Sequence, residues 1–133
     1  MILSPLSDNH SLELFYKGQM VFSSKGHWLH PLFELENFLN MNWYNREELY
    51  LHDSVSGRAA AILTCRLGIK HVTSDLGSAL ARTVFEKNNV QWQCLKEVPK
   101  ILCKTETLIE DSMDVEEVYS MLLERATASK TIS

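Results

Sequence analysis

The sequence predicts an α/β domain built on a mixed sheet with helices on both faces. Three observations carry this prediction. Short apolar runs of strand length alternate with longer runs of helical periodicity through most of the chain. A glycine turn, Lys17-Gly18-Gln19, joins the first two strands into a hairpin, which must be antiparallel. Later strands are separated by single helices, and strands joined that way run parallel through right-handed crossovers.

The predicted order is β-β-α-β-α-β-α-β-(β)-α. Met1 to Ser11 reads as a frayed or disordered lead-in. In the hairpin from Leu12 to Phe22, Leu14, Tyr16, Met20 and Phe22 alternate with polar or smaller residues. Pro31 sits where a first helical turn tolerates a missing N–H, and Leu32, Leu35, Phe38 and Leu39 follow at helical spacing up to Asn40. Leu49 to His52 forms the next strand. Ser54 or Ser56 is expected to cap the helix after it. Ala59, Ala60, Ile62, Leu63 and Leu67 make that helix apolar on more than one side, and Gly68 ends it in the left-handed conformation.

His71 to Thr73 is the following strand, and Ser74 to Ser78 a cap-rich turn. Leu76, Leu80, Val84 and Phe85 carry a third helix that stops at Asn88-Asn89. Val90 to Leu95 reads as a strand. Pro99 then interrupts, so a strand at Ile101 to Cys103 would lie at an edge. Asp114-Val-Glu-Glu117 opens the last helix as a capping box with Asp in place of Ser or Thr. Val115, Val118, Tyr119, Leu122 and Leu123 give it the strongest amphipathic pattern in the chain. The predicted domain spans residues 12–125, with 126–133 as a polar, flexible tail.

Composition narrows the function classes. A chain of 133 residues fits one domain and can bury about two-thirds of its unfolded surface without a disulfide or metal. Thirteen basic residues scattered among seventeen acidic ones argue against nucleic acid as a partner. No leader pattern and no apolar run of about 20 residues is present, so no membrane is expected and the expected location is the cytoplasm. Cys65, Cys94 and Cys103 are odd in number and lack ligand spacing, which reads as free thiols in a reducing compartment. His10, His27, His30, His52 and His71 are dispersed, without the spacing of a zinc site. No metal and no cofactor is expected.

The chemistry concentrates between Glu48 and Val72, read as strand, tight turn, helix and strand. The turn carries Asp53, Ser54, Ser56, Gly57 and Arg58. A strand feeding directly into a helix aims backbone N–H groups into one crevice, where polar or anionic ligands bind. Asp53 would accept from a ligand hydroxyl or amine, and Arg58 would contact an anion. The competing reading is that Asp53 caps the helix and pairs with Arg58. His52 and Asp53, being adjacent on a strand, should point to opposite faces. Asp75, Gly77 and Ser78 at the next helix opening are expected to form the second wall. Trp28, Trp43 and Tyr44 lie in loops and could stack on a planar ligand. The leading expectation is a non-catalytic module for a small polar or anionic, nucleotide-like ligand. The alternatives are an enzyme using Asp53 as acid or base, and an interaction protein with a vestigial site. The aromatic Met41 to Tyr44 loop suggests a homodimer.

The run from Asp53 to Ala61, the hairpin FYKGQMVFSS, the segment LHPLFEL and the later EVPKIL together resemble a small prokaryotic family of uncharacterised proteins. That family is grouped with the cytidine deaminase-like fold. The resemblance covers residues 12–125 and implies a three-layer α/β/α sandwich. Zinc-dependent deaminases open one helix with H-x-E and the next with P-C-x-x-C, to hold Zn²⁺ and move a proton. Here the openings read Ser56-Gly57-Arg58-Ala59 and Ser74-Asp75-Leu76-Gly77-Ser78, which argues against zinc deamination. The chain also departs from its nearer family. Ser54 stands where a Lys usually follows the Asp, and the short segment Lys104 to Asp111 lacks a Cys-Pro pair.

Overall fold

In the computed structural model of the chain, residues 4–101 and 108–132 are described. The strand read at Leu102 and Cys103 lies outside them, and Ile101 belongs to no strand. The elements are β1 (Leu12–Tyr16), β2 (Gln19–Ser24), α1 (His30–Met41), a 3₁₀ turn (Arg46–Glu48), β3 (Leu49–Ser56), α2 (Arg58–Arg66), β4 (His71–Ser78), α3 (Ala79–Lys87), β5 (Gln91–Val98) and α4 (Val115–Ile132). They form one five-stranded mixed sheet in the order β2-β1-β3-β4-β5. β1 runs antiparallel to both β2 and β3, and β3, β4 and β5 run parallel. The hairpin turn holds Lys17 at φ 51° and Gly18 at φ 81°. Two consecutive left-handed residues match the twist of the flanking strands.

The register explains where the core lies. Phe22, Leu14, Leu51, Val72 and Trp92 stand side by side across all five strands. At one end of this row Phe22 packs on Phe38 of α1, and at the other Trp92 packs on Phe85 of α3. Both helices therefore cover the same face. α2 lies between them, in contact with α1, α3 and α4. Among the described residues, α1, α2 and α3 lie on one face, where the sequence suggested helices on both. The crossovers β2-α1-β3, β3-α2-β4 and β4-α3-β5 all step across the sheet in one direction. Right-handed connections stepping one way must leave their helices on one side.

α4 closes the helical layer. The Arg66 guanidinium of α2 lies 3.5 Å over the Tyr119 ring, pairs with Glu36 of α1, and donates to Glu116 at 2.9 Å. The Tyr119 hydroxyl donates to the same Glu36 carboxylate. The Asp114 carboxylate accepts the Glu117 N–H, and Glu117 accepts the Asp114 N–H, completing the capping box. The helix then continues to Ile132 with Ala126 buried, where the sequence suggested a tail from residue 126.

The opposite face carries the chain before β1. The Leu6 N–H donates to Asp75, and the Ser11 N–H donates to the Ser24 carbonyl, so residues 6–11 are tied to the sheet rather than frayed. Further along that face Tyr50 stacks on His71 with ring centroids 4.4 Å apart. Among the described residues, no helix is long and apolar enough to cross a membrane.

Two helix starts differ from expectation. β3 runs on to Ser56 and β4 to Ser78, where the sequence suggested turns. Parallel neighbours give these polar residues ladder partners that local propensity does not reveal.

Leu63 and Leu122 are both buried between these layers. Leu63→Ala and Leu122→Ala should each cost about 2–5 kcal/mol in a denaturant melt. A Cβ on Gly77 would overlap the Trp92 indole and lie 2.9 Å from Cys94 Sγ. Gly77→Ala should therefore destabilise by about 1–3 kcal/mol through overpacking, and a melt matching the parent would show that the ring yields freely.

Candidate functional site

At the carboxyl end of β3 the sheet opens into a cavity of about 330 Å³. Its floor is Asp53, Ser54 and Val55. One wall is the opening of α2, with Gly57, Ala59 and Ala60. The facing wall is the opening of α1, with His27, Trp28, Leu29 and Pro31. Ser11, Gly26 and Ile101 complete the lining. Three strand ends meet here: the Ser11 N–H donates to Ser24 of β2 at 2.8 Å, and the Ser54 N–H donates to Ser11 at 2.9 Å. Trp28 is held at φ 57°, a left-handed conformation costly for a bulky residue. Such strain persists only where the surroundings hold it, and it gathers at ligand sites.

Asp53 is 7% exposed. Ser56 Oγ donates to its carboxylate at 3.2 Å. Ser56 Oγ also shares a 2.7 Å hydrogen bond with Ser74 Oγ, which accepts the Trp92 indole N–H at 2.8 Å. Burial disfavours the charged form and pushes the Asp53 carboxyl up to about 7. The Ser56 hydroxyl and the backbone of Val55 and Ser54 pull the other way, and Asp75 adds a small further rise.

Asp53 caps nothing. Gly57 is the N-cap of α2 and offers no side chain, so no side-chain cap bond forms. Ser54 and Ser56 are strand residues. Arg58 turns away from the cavity: its guanidinium donates to the Ile109 carbonyl at 3.2 Å and to Asp111 at 2.8 Å. Both expectations for Arg58, an anion contact in the crevice and a pair with Asp53, give way to this anchor. Asp111 is distant in sequence, and only folding brings it near.

The second helix opening is not the second wall. Asp75 is on the other sheet face, where it meets His52 Nε2 at 2.7 Å and accepts the Leu6 N–H at 3.0 Å. Strand alternation separates Asp75 from Ser74, which faces Asp53. Ser78 Oγ accepts the Ala81 N–H at 3.1 Å and caps α3. Gly77 faces the Trp92 ring, where a side chain would not fit. The wall opposite α2 comes instead from α1.

Ser11, His27 and the His52–Asp75 pair escaped the sequence reading as site or polar-network residues. For the His52–Asp75 pair the signal is register: once β3 and β4 pair in parallel, Thr73 lies opposite His52 and Asp75 follows on the same face. Among the described residues, no group of three or more His, Cys, Asp or Glu is placed to hold a metal ion.

A family model described as "TM1506: Domain of unknown function (DUF1893)" matches residues 3–126. The chain belongs to the DUF1893 family. A crystal structure at 2.70 Å of a DUF1893 family protein (TM1506) from Thermotoga maritima matches with a TM-score of 0.75 and 24% identity. The match covers 88% of this chain and 81% of that one, and at this identity it is a likeness of fold. No curated protein matches. In this DUF1893 chain the cavity falls wholly within the matched residues.

The raised Asp53 carboxyl has a pH consequence. Because its folded value lies above the unfolded one, its contribution to stability is complete below about pH 4 and is lost as pH rises through about 7. At about 1.4 kcal/mol per decade, the full span is worth about 4 kcal/mol. Asp53→Asn should therefore gain stability relative to the parent between pH 5 and pH 8.5. Thermal melts showing the same mutant-to-parent difference at both pH values would contradict the buried, neutral-preferring carboxyl.

Proposed function

We propose that this domain binds a small polar molecule in the cavity above Asp53, as a ligand-binding or regulatory module. The supporting observation is a buried carboxyl lining a cavity of about 330 Å³ between two helix openings whose N-cap residues, Leu29 and Gly57, make no side-chain cap bond. Small-molecule sites of about 300–1,000 Å³ are built this way, mostly apolar with a few convergent polar groups. Kinship with the cytidine deaminase-like fold belongs to the same proposal. The mixed sheet and a crevice at the carboxyl end of a parallel strand support it, whereas helices gathered on one face weigh against a sandwich.

Two further readings each have an observation in their favour. A carboxyl held near neutral pH suits proton transfer, which favours an enzyme using Asp53 as acid or base. Met41 at the end of α1 and Trp43 in the loop after it are each 85% exposed, which favours self-association through that loop.

A thermal-shift screen of nucleosides, nucleotides, amines, amides and metabolite anions tests the binding reading. A ligand at a hundred times its Kd stabilises the fold by about 2.7 kcal/mol. Asp53→Asn should weaken a hit by at least about tenfold. Hits that bind the variant equally would place the site elsewhere. Product formation from a hit would favour the enzyme. Light scattering that gives a dimer for the parent and a monomer for Trp43→Ser would favour the interaction surface.

A further inference from the structure

We infer that Trp28 is the ligand-stacking residue of the cavity, and that the ligand carries a flat aromatic ring. This rests on the binding reading above and names the ligand class for that site.

Residue type and backbone conflict at Trp28. The chain turns between His27 and His30, with the His30 N–H donating to the His27 carbonyl at 3.2 Å. Trp28 is the second residue of that turn, at φ 57°, and Leu29 the third, at φ −97° and ψ −2°. Positive φ at the second position is ordinarily met by glycine, asparagine or aspartate, whereas a bulky side chain crowds its own backbone there. A turn that needed only this geometry would be served better by glycine. What tryptophan adds at this position is its indole.

Neighbours on both sides hold the strained turn. Before it, the Gly26 N–H donates to Ser24 Oγ at 3.0 Å, and Ser24 Oγ donates to Glu34 of α1 at 2.9 Å. A Cβ on Gly26 would lie 3.2 Å from both Glu34 Oε1 and Ser24 Oγ, so the loop runs close against α1. After it, Pro31 enters the first turn of α1 with its φ fixed. Strain that surroundings maintain in this way collects at ligand clamps.

The position of Trp28 suits contact with a ring. With Pro31 it lines the wall facing Gly57, Ala59 and Ala60, whose small side chains leave room between the walls. The His30 ring meets the indole edge-on, 5.6 Å between centroids, yet 39% of Trp28 stays exposed. Flat rings stack on an indole with a gain beyond simple burial, and a saturated ring of the same size does not share it.

Benzamide and cyclohexanecarboxamide separate the two cases, because they carry the same amide on a flat and on a puckered ring. Each is titrated into the full chain, reading the Gly57 amide and the Trp28 indole N–H by ¹⁵N NMR. Benzamide should shift both resonances and bind about three- to tenfold tighter than the saturated amide. Trp28→Phe should keep that preference, and Trp28→Ala should abolish it, as read at Gly57. If Trp28→Ala folds poorly, Trp28→Gly carries the same test, since glycine is at ease at positive φ. Trp28→Gly should also melt above Trp28→Ala, and a glycine variant that melts no higher would overturn the inference by removing its strain. Equal binding of the two amides to the parent would overturn the stacking role and leave the cavity a binding site. Failure of both amides to move Gly57 at millimolar concentration would overturn the inference and the binding reading together.

Discussion

The two unlike pairings of β3 set the rest of the architecture. It pairs antiparallel with β1 on one side and parallel with β4 on the other. Beyond the antiparallel side, β1 turns back into β2 through a two-residue hairpin, whereas on the parallel side β3 and β4 require a helical crossover. Because successive crossovers step outward in one direction, α1, α2 and α3 cover one face. The other face takes the chain before β1. The cavity follows from the same fact, since strand ends and helix openings of adjacent crossovers meet at one edge.

Beneath the cavity lies a buried polar chain: Asp53, Ser56, Ser74 and Trp92. Burying a carboxyl costs several kcal/mol unless it is bonded or neutralised. This fold does some of each. The Ser56 hydroxyl bonds it, and desolvation raises its proton affinity toward neutrality. A core of the same shape filled with apolar groups would not carry that cost. The acid is placed against an open cavity rather than sealed within the core.

Distant parts of the chain hold the walls. Arg58 anchors the start of α2 to the segment at Ile109 and Asp111, and Arg66 at its other end joins α1 and α4 through Glu36 and Glu116. Arg66 also stacks on Tyr119. Such pairs contribute little singly when exposed, but a bonded and stacked network fixes geometry. α2 is thereby clamped at both ends, and its uncapped first turn is held against the cavity.

By itself the sequence determined the elements whose cause is local. Gly18 and Gly68 supply positive φ, Asp114 and Glu117 bond each other's backbone, and the apolar spacing of Val118 and Leu122 buries one helical stripe. Asp53 was legible as a residue lining the crevice because a strand running into a helix exposes its last side chains there. Only the tertiary structure decided what shares that crevice. Strand order put α1, α2 and α3 on one face, and register sent Asp75 to His52 and away from Asp53. Asp111, far along the chain, drew Arg58 out of the cavity. These outcomes depend on contacts between residues tens of positions apart, and no local pattern encodes such pairings.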